Sequence, residues 1–67
     1  MKIFAERLRE LRTEKGLSMK QLALAIKTTD AAISNWENDI NKLKITYLKV
    51  IALYFCVTTD YLLGLEN

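Results

Sequence analysis

The chain contains no proline, and its only two glycines, Gly16 and Gly64, each stand just behind a stretch with helical periodicity. A glycine in that place supplies the left-handed residue that closes a helix. Around these marks the sequence reads as five short helices. No repeat, low-complexity tract or linker divides them, so residues 1–67 are expected to form one domain.

The first helix is expected from about Ile3 to Lys15. Phe4, Leu8 and Leu11 recur at i, i+4 and i+7 as one apolar stripe, with Glu6, Arg7, Arg9, Glu10 and Glu14 on the other faces. Those charges alternate in sign at helical spacing, which favours a salt-bridged solvated face over a phosphate clamp. The second helix has the clearest start. Ser18 is placed to cap it, Gln21 can return a bond to the Ser18 backbone N–H, and Leu17 with Leu22 completes a hydrophobic staple. Leu22, Ala23 and Ile26 form its inner face, and it ends before Lys27-Thr28-Thr29.

The third helix begins with Thr29 (or Thr28) as cap and runs to about Asn38. At about 100° per residue, Thr29, Ala32, Ile33, Trp36 and Glu37 fall on one side, while Asp30, Ala31, Ser34, Asn35 and Asn38 share an arc on the other. The outer face is therefore built from short, mostly hydrogen-bonding side chains, which is unusual for a merely solvated surface. Trp36 beside Ile33 reads as core rather than as a stacking platform. The fourth helix is expected over Ile45–Phe55, with Leu48, Ile51, Ala52 and Phe55 as its core stripe. A second stripe, Tyr47, Val50 and Tyr54, together with Leu63 and Leu65, is either leftover core or a self-association surface. The fifth helix is short, with Thr58 as cap, Val57 and Leu62 as staple, and Gly64 as stop.

Composition excludes several functions. Histidine is absent and Cys56 is the single cysteine, so an internal disulfide or a cysteine–histidine metal site cannot form. With no histidine, one cysteine and no glycine-rich loop to cradle a phosphate, acid–base and nucleophilic chemistry lacks its usual groups; a site of aspartate or glutamate alone stays open, but nothing converges on one, and neither an enzyme nor a cofactor is expected. No apolar run approaches the roughly 20 residues of a membrane span, and the N-terminus lacks the apolar stretch of a signal peptide. A cytoplasmic protein of bacterial or phage type is expected. Hydrophobic residues make up 51% of the chain, enough for a core. A core of this size contributes only about 3–5 kcal/mol net, so a neighbouring chain could matter. The formal net charge of +2 permits a nucleic-acid partner without demanding one. Its distribution is uneven: Lys42, Lys44 and Lys49 cluster after the third helix, whereas Thr28 to Asn41 carries no Lys or Arg.

Two short helices joined by a tight turn, over residues 18–38 or so, describe a helix-turn-helix. Duplex DNA suits it physically. The major groove, about 12 Å wide, admits one helix and offers base-edge donors and acceptors to short polar side chains. The preceding helix would aim the free amides of Met19 and Lys20 at a phosphate.

The runs Leu17-Ser18-Met19-Lys20-Gln21-Leu22-Ala23 and Thr29-Asp30-Ala31-Ala32-Ile33-Ser34-Asn35-Trp36-Glu37-Asn38 resemble the lambda-repressor-like (Cro/CI, or Xre) helix-turn-helix family. The segment from Leu48 to Gly64 resembles that family's closing helices. The resemblance implies an all-α, five-helix domain that binds double-stranded operator DNA as a homodimer. It implies that Met19, Asp30, Ala31, Ser34 and Asn35 face bases and that Lys20, Asn38, Lys42 and Lys44 lie near phosphates. It also implies a partly buried Arg12–Glu37 ion pair tying the first helix to the third. The inward arc supports that pair, because a buried carboxylate needs a partner.

Three departures accompany the likeness. Lys27 stands at the turn position where the family usually has glycine, and Asp39 where glycine commonly closes the third helix. Family members often carry Gln, Arg or Ser where this chain has Met19, Asp30 and Ala31. An aspartate in a phosphate-lined groove is repelled unless it accepts from a cytosine amine. The expected function is a sequence-specific regulator, a repressor acting by operator occlusion. The alternative is a protein-interaction module, antirepressor or antitoxin-like, on the same fold.

Overall fold

The computed structural model describes residues 2–38 and 43–66. These form α1 (Lys2–Glu14), α2 (Met19–Ile26), α3 (Asp30–Glu37), α4 (Ile45–Phe55) and α5 (Thr59–Leu63). No strand occurs among the described residues. Four of the helices fall short of the roughly 12–15 residues at which an isolated helix is even marginal in water, and α1 with 13 residues only reaches it, so tertiary packing must hold them. The five most completely enclosed large side chains are Leu8, Leu22, Ile33, Ile51 and Leu62, one from each helix. Phe4, Ala23, Ile26, Trp36, Leu48, Ala52 and Phe55 complete the buried cluster around them. The stripes expected on the five helices thus converge on a single core.

The helix starts follow the sequence closely. Ser18 Oγ accepts from the Gln21 amide at 3.0 Å while Gln21 Oε1 accepts from the Ser18 amide at 2.8 Å, closing the capping box. Thr29 caps α3 through Ala32 N–H at 3.1 Å, and Thr58 caps α5 through Tyr61 N–H at 3.0 Å. Four of the five helix ends share one solution, α3 being the exception with Asn38 at φ −99°. Gly16, Lys27, Cys56 and Gly64 all adopt left-handed backbone, with φ of 69°, 61°, 58° and 80°. Only two of the four are glycines. Lys27 takes the conformation that its place in the turn demands, and Cys56 does the same at the end of α4, each at a cost that glycine would not incur.

The charged face of α1 differs from the expected solvated ladder. Among the described residues, Glu6, Glu10 and Glu14 form no ion pair, and the arginines reach across to other elements instead. Arg7 lies over the Tyr61 ring, 4.2 Å from its centroid, and donates to the carbonyls of Tyr61 and Glu66. It thereby holds the end of α5 against α1. The physical reason is reach: the three arginines find carbonyl and carboxylate acceptors on other elements, where a part-buried charge-assisted hydrogen bond is worth more than a screened surface pair with a glutamate.

Candidate nucleic-acid interface

The geometry of the interface begins with the buried ion pair behind it. The Glu37 side chain is fully enclosed, with 0% of it exposed, and Arg12 is 13% exposed. Arg12 grips the carboxylate with both arms of its guanidinium, Nε to Oε2 at 2.6 Å and Nη2 to Oε1 at 3.0 Å. Its third nitrogen, Nη1, donates to the Leu17 carbonyl at 2.8 Å. One side chain therefore fixes α1, the C-terminal end of α3 and the loop leading into α2. The hydrogen bond to Glu37, helped by its charge, raises the Arg12 pKa even though burial pulls the other way. Arg9 adds a bond to Oε1 at 3.3 Å and another to the Glu37 backbone carbonyl at 3.4 Å, capping the last turn of α3. The helical pattern placed Glu37 inward and the family resemblance named Arg12 as its partner, but neither pointed to Arg9, because side-chain reach is invisible to periodicity.

Seated this way, α3 turns its other side outward. Asp30, Ala31, Asn35 and Asn38 are exposed and Ser34 is half-buried, while Ile33, Trp36 and Glu37 are buried. Trp36 packs against Tyr47 with ring centroids 5.3 Å apart, so it is a core residue. Asn38 folds back along the helix: Nδ2 donates to the Ser34 carbonyl at 2.8 Å and to Ser34 Oγ at 3.2 Å. Of the α2 residues expected beside this surface, Lys20 is exposed, whereas Met19 is half-buried and packs partly on the core. The first α2 amide with a partner is Gln21, held by Ser18, which leaves the Met19 and Lys20 amides at the open end of the helix among the described residues. Lys44 is exposed at the start of α4. Lys42 and Asp39 lie outside the described residues.

The apolar surface read from the sequence divides into two. Tyr47, Val50, Tyr54 and Leu63 are half-buried and pack against the core. Leu65 is 73% exposed, and two α4 residues outside the stripe are exposed as well, Ile45 at 71% and Leu53 at 80%. Among the described residues, no cluster of histidine, cysteine, aspartate or glutamate could hold a metal ion, and no helix is long and apolar enough to cross a membrane.

Comparison with known proteins agrees with this arrangement. A family model described as Helix-turn-helix matches residues 8–62. The chain is 41% identical over 64 residues to the HTH-type transcriptional activator BcrR of Enterococcus faecalis, covering 96% of this chain and 31% of that protein. It is 33% identical over 65 residues to the uncharacterised HTH-type transcriptional regulator YobD of Bacillus subtilis, covering 97% of this chain and 58% of that one. The chain thus spans less than two thirds of either relative. No solved structure matches it.

Proposed function

Because the chain belongs to the helix-turn-helix family of transcriptional regulators, in its lambda-repressor-like form, we propose that it binds double-stranded DNA sequence-specifically as a homodimer and represses transcription by occluding an operator. The observation that carries this reading is the outward face of α3, where Asp30, Ala31, Ser34 and Asn35 present short side chains on a helix locked from behind by Arg12 and Glu37. A helix held that firmly can enter a groove with little further ordering cost. In this reading Asn35 and Ser34 discriminate bases, with Asp30, Ala31 and Met19 flanking them. Lys20, Asn38, Lys42 and Lys44 supply the contacts to phosphate that set affinity and register. The bound form belongs on the bacterial or phage-type nucleoid, in the cytoplasm.

Dimerisation follows from symmetry: two recognition helices about 34 Å apart read half-sites one helical turn apart. Tyr47, Val50, Tyr54, Leu63 and Leu65 are the proposed contact surface, of which Leu65 is the most exposed at 73%. One relative carries the name activator, which favours a second direction of regulation. An operator overlapping the promoter supports occlusion, and one lying upstream of it supports activation. A protein-interaction module on the same fold, with weakened DNA binding, is the competing class, favoured by the carboxylate of Asp30 on the outward face.

Selection of bound fragments from a random duplex pool tests the proposal. A palindrome with half-site centres about 10 base pairs apart is expected. A single unpaired half-site would refute the dimer, and a pool without enrichment would refute sequence-specific binding altogether.

A further inference from the structure

Asp30 is the only charged residue on the outward face of α3, and it is exposed. Among the described residues its carboxylate forms neither a hydrogen bond nor an ion pair. The neighbouring polar group is committed differently. Ser34 Oγ accepts from Asn38 Nδ2 at 3.2 Å, which uses one acceptor position and leaves the hydroxyl its proton to donate. The face therefore has a built-in polarity: an obligate acceptor at Asp30 and, about 6 Å further along the helix, a donor at Ser34. That separation is roughly two base steps.

A carboxylate brought between two rows of phosphates loses hydration and meets like charge, so it needs a donor that faces it directly. Only one base edge in the major groove offers a donor without an acceptor beside it. Cytosine presents its N4 amine; adenine places N7 next to N6, guanine presents N7 and O6, and thymine presents O4 and a methyl group. Resting on the DNA-binding reading above, we infer that Asp30 is a specificity-determining residue: it selects cytosine at one fixed position of each half-site by accepting from the N4 amine, and it penalises every other base there.

Guanine and thymine offer the carboxylate no donor, and adenine sets the N7 lone pair beside its N6 amine, so discrimination comes from rejection as much as from attraction. The preference for cytosine at that position is expected to lie between about fivefold and a hundredfold per half-site. An acidic residue in the first turn of a helix also interacts favourably with the helix dipole. That purely structural role would lower stability on substitution but would leave base preference untouched, so base preference is the decisive readout.

The test repeats the duplex selection with the full chain and its Asp30→Ala and Asp30→Asn variants, after thermal melts establish that all three fold. The wild type is expected to recover cytosine at a fixed position, Asp30→Ala to accept any base there, and Asp30→Asn to shift toward adenine, whose N6 and N7 suit an amide. The selected duplex is then remade with N4-methylcytosine at that position, which puts a methyl group where the groove-facing hydrogen was. Binding by the wild type should fall by a similar factor while Asp30→Ala should be indifferent. A wild-type consensus lacking that cytosine, or one that Asp30→Ala leaves unchanged, overturns the inference while DNA binding stands. A wild type that binds no duplex at low ionic strength removes the reading on which it rests.

Discussion

Arg12→Met provides the sharpest test of how the reading helix is held. The substitution keeps most of the apolar stem and removes both guanidinium bonds to Glu37, whose side chain is fully enclosed. Breaking a buried pair by deleting one partner typically costs about 3–5 kcal/mol, because the surviving charge is left without compensation. Two features of this site place the expected loss near the low end. Arg9 still reaches Oε1 at 3.3 Å, though it is 53% exposed and so partly screened. The Leu17 carbonyl released by Arg12 belongs to a half-buried residue and can turn to water. About 3 kcal/mol is therefore expected, against a total stability of roughly 3–10 kcal/mol for a domain of this length. In thermal unfolding followed by circular dichroism, the midpoint should fall by about 12–24 °C. The double variant Arg12→Met/Glu37→Leu, which removes both charges, should recover most of that loss. The sign of the pH dependence is also fixed. Because the Arg12 pKa is raised in the folded state, its contribution is complete below the ordinary arginine range and is lost only as pH climbs through the raised value. The Arg12→Met deficit should accordingly be the same at pH 7 and pH 9. A single variant within about 1 kcal/mol of wild type, or a double variant as unstable as the single, would refute the reasoning.

Two further stability predictions concern helix ends. Lys27→Gly should raise stability by about 0.5–1 kcal/mol, since relief of a left-handed lysine outweighs the greater freedom of glycine in the unfolded chain; denaturant melts should show a higher midpoint with unchanged slope, and a lower midpoint would contradict the assigned φ of 61°. Ser18→Ala removes the acceptor for the Gln21 amide and should cost about 1 kcal/mol by the same assay, whereas a neutral result would mean that water caps α2 equally well.

Local chemistry made most of the fold legible. The caps at Ser18, Thr29 and Thr58, the stop at Gly64 and the apolar stripes of α1 to α3 are each written within a few consecutive residues, and the structure carries all of them. The need for a partner at Glu37 was legible because that residue falls on an apolar arc, where a lone carboxylate cannot stay unpaired, while Arg12 as the partner came from the family resemblance. The core stripe of α4, Leu48, Ile51, Ala52 and Phe55, was legible as well, and what the pattern could not resolve lies on the other faces of that helix. Its sequence Ile-Thr-Tyr-Leu-Lys-Val-Ile-Ala-Leu-Tyr-Phe carries apolar residues on nearly every face, so periodicity cannot say which of them face outward. Tyr47, Val50 and Tyr54 turned partly inward and left Leu53 and Ile45 exposed. Arg7 and Arg9 escaped for another reason: a side chain that long takes its partner from whichever element folding brings near.

The central claim is that the outward face of α3, backed by nearby lysines, engages duplex DNA, and salt titration of binding tests it most directly. With two or three lysines per protomer on phosphates, a dimer should give a slope of log K against log salt of roughly −4 to −5, and Lys20→Ala with Lys44→Ala should flatten it measurably. Absence of binding at low ionic strength, or binding indifferent to salt and to those two lysines, would contradict the account.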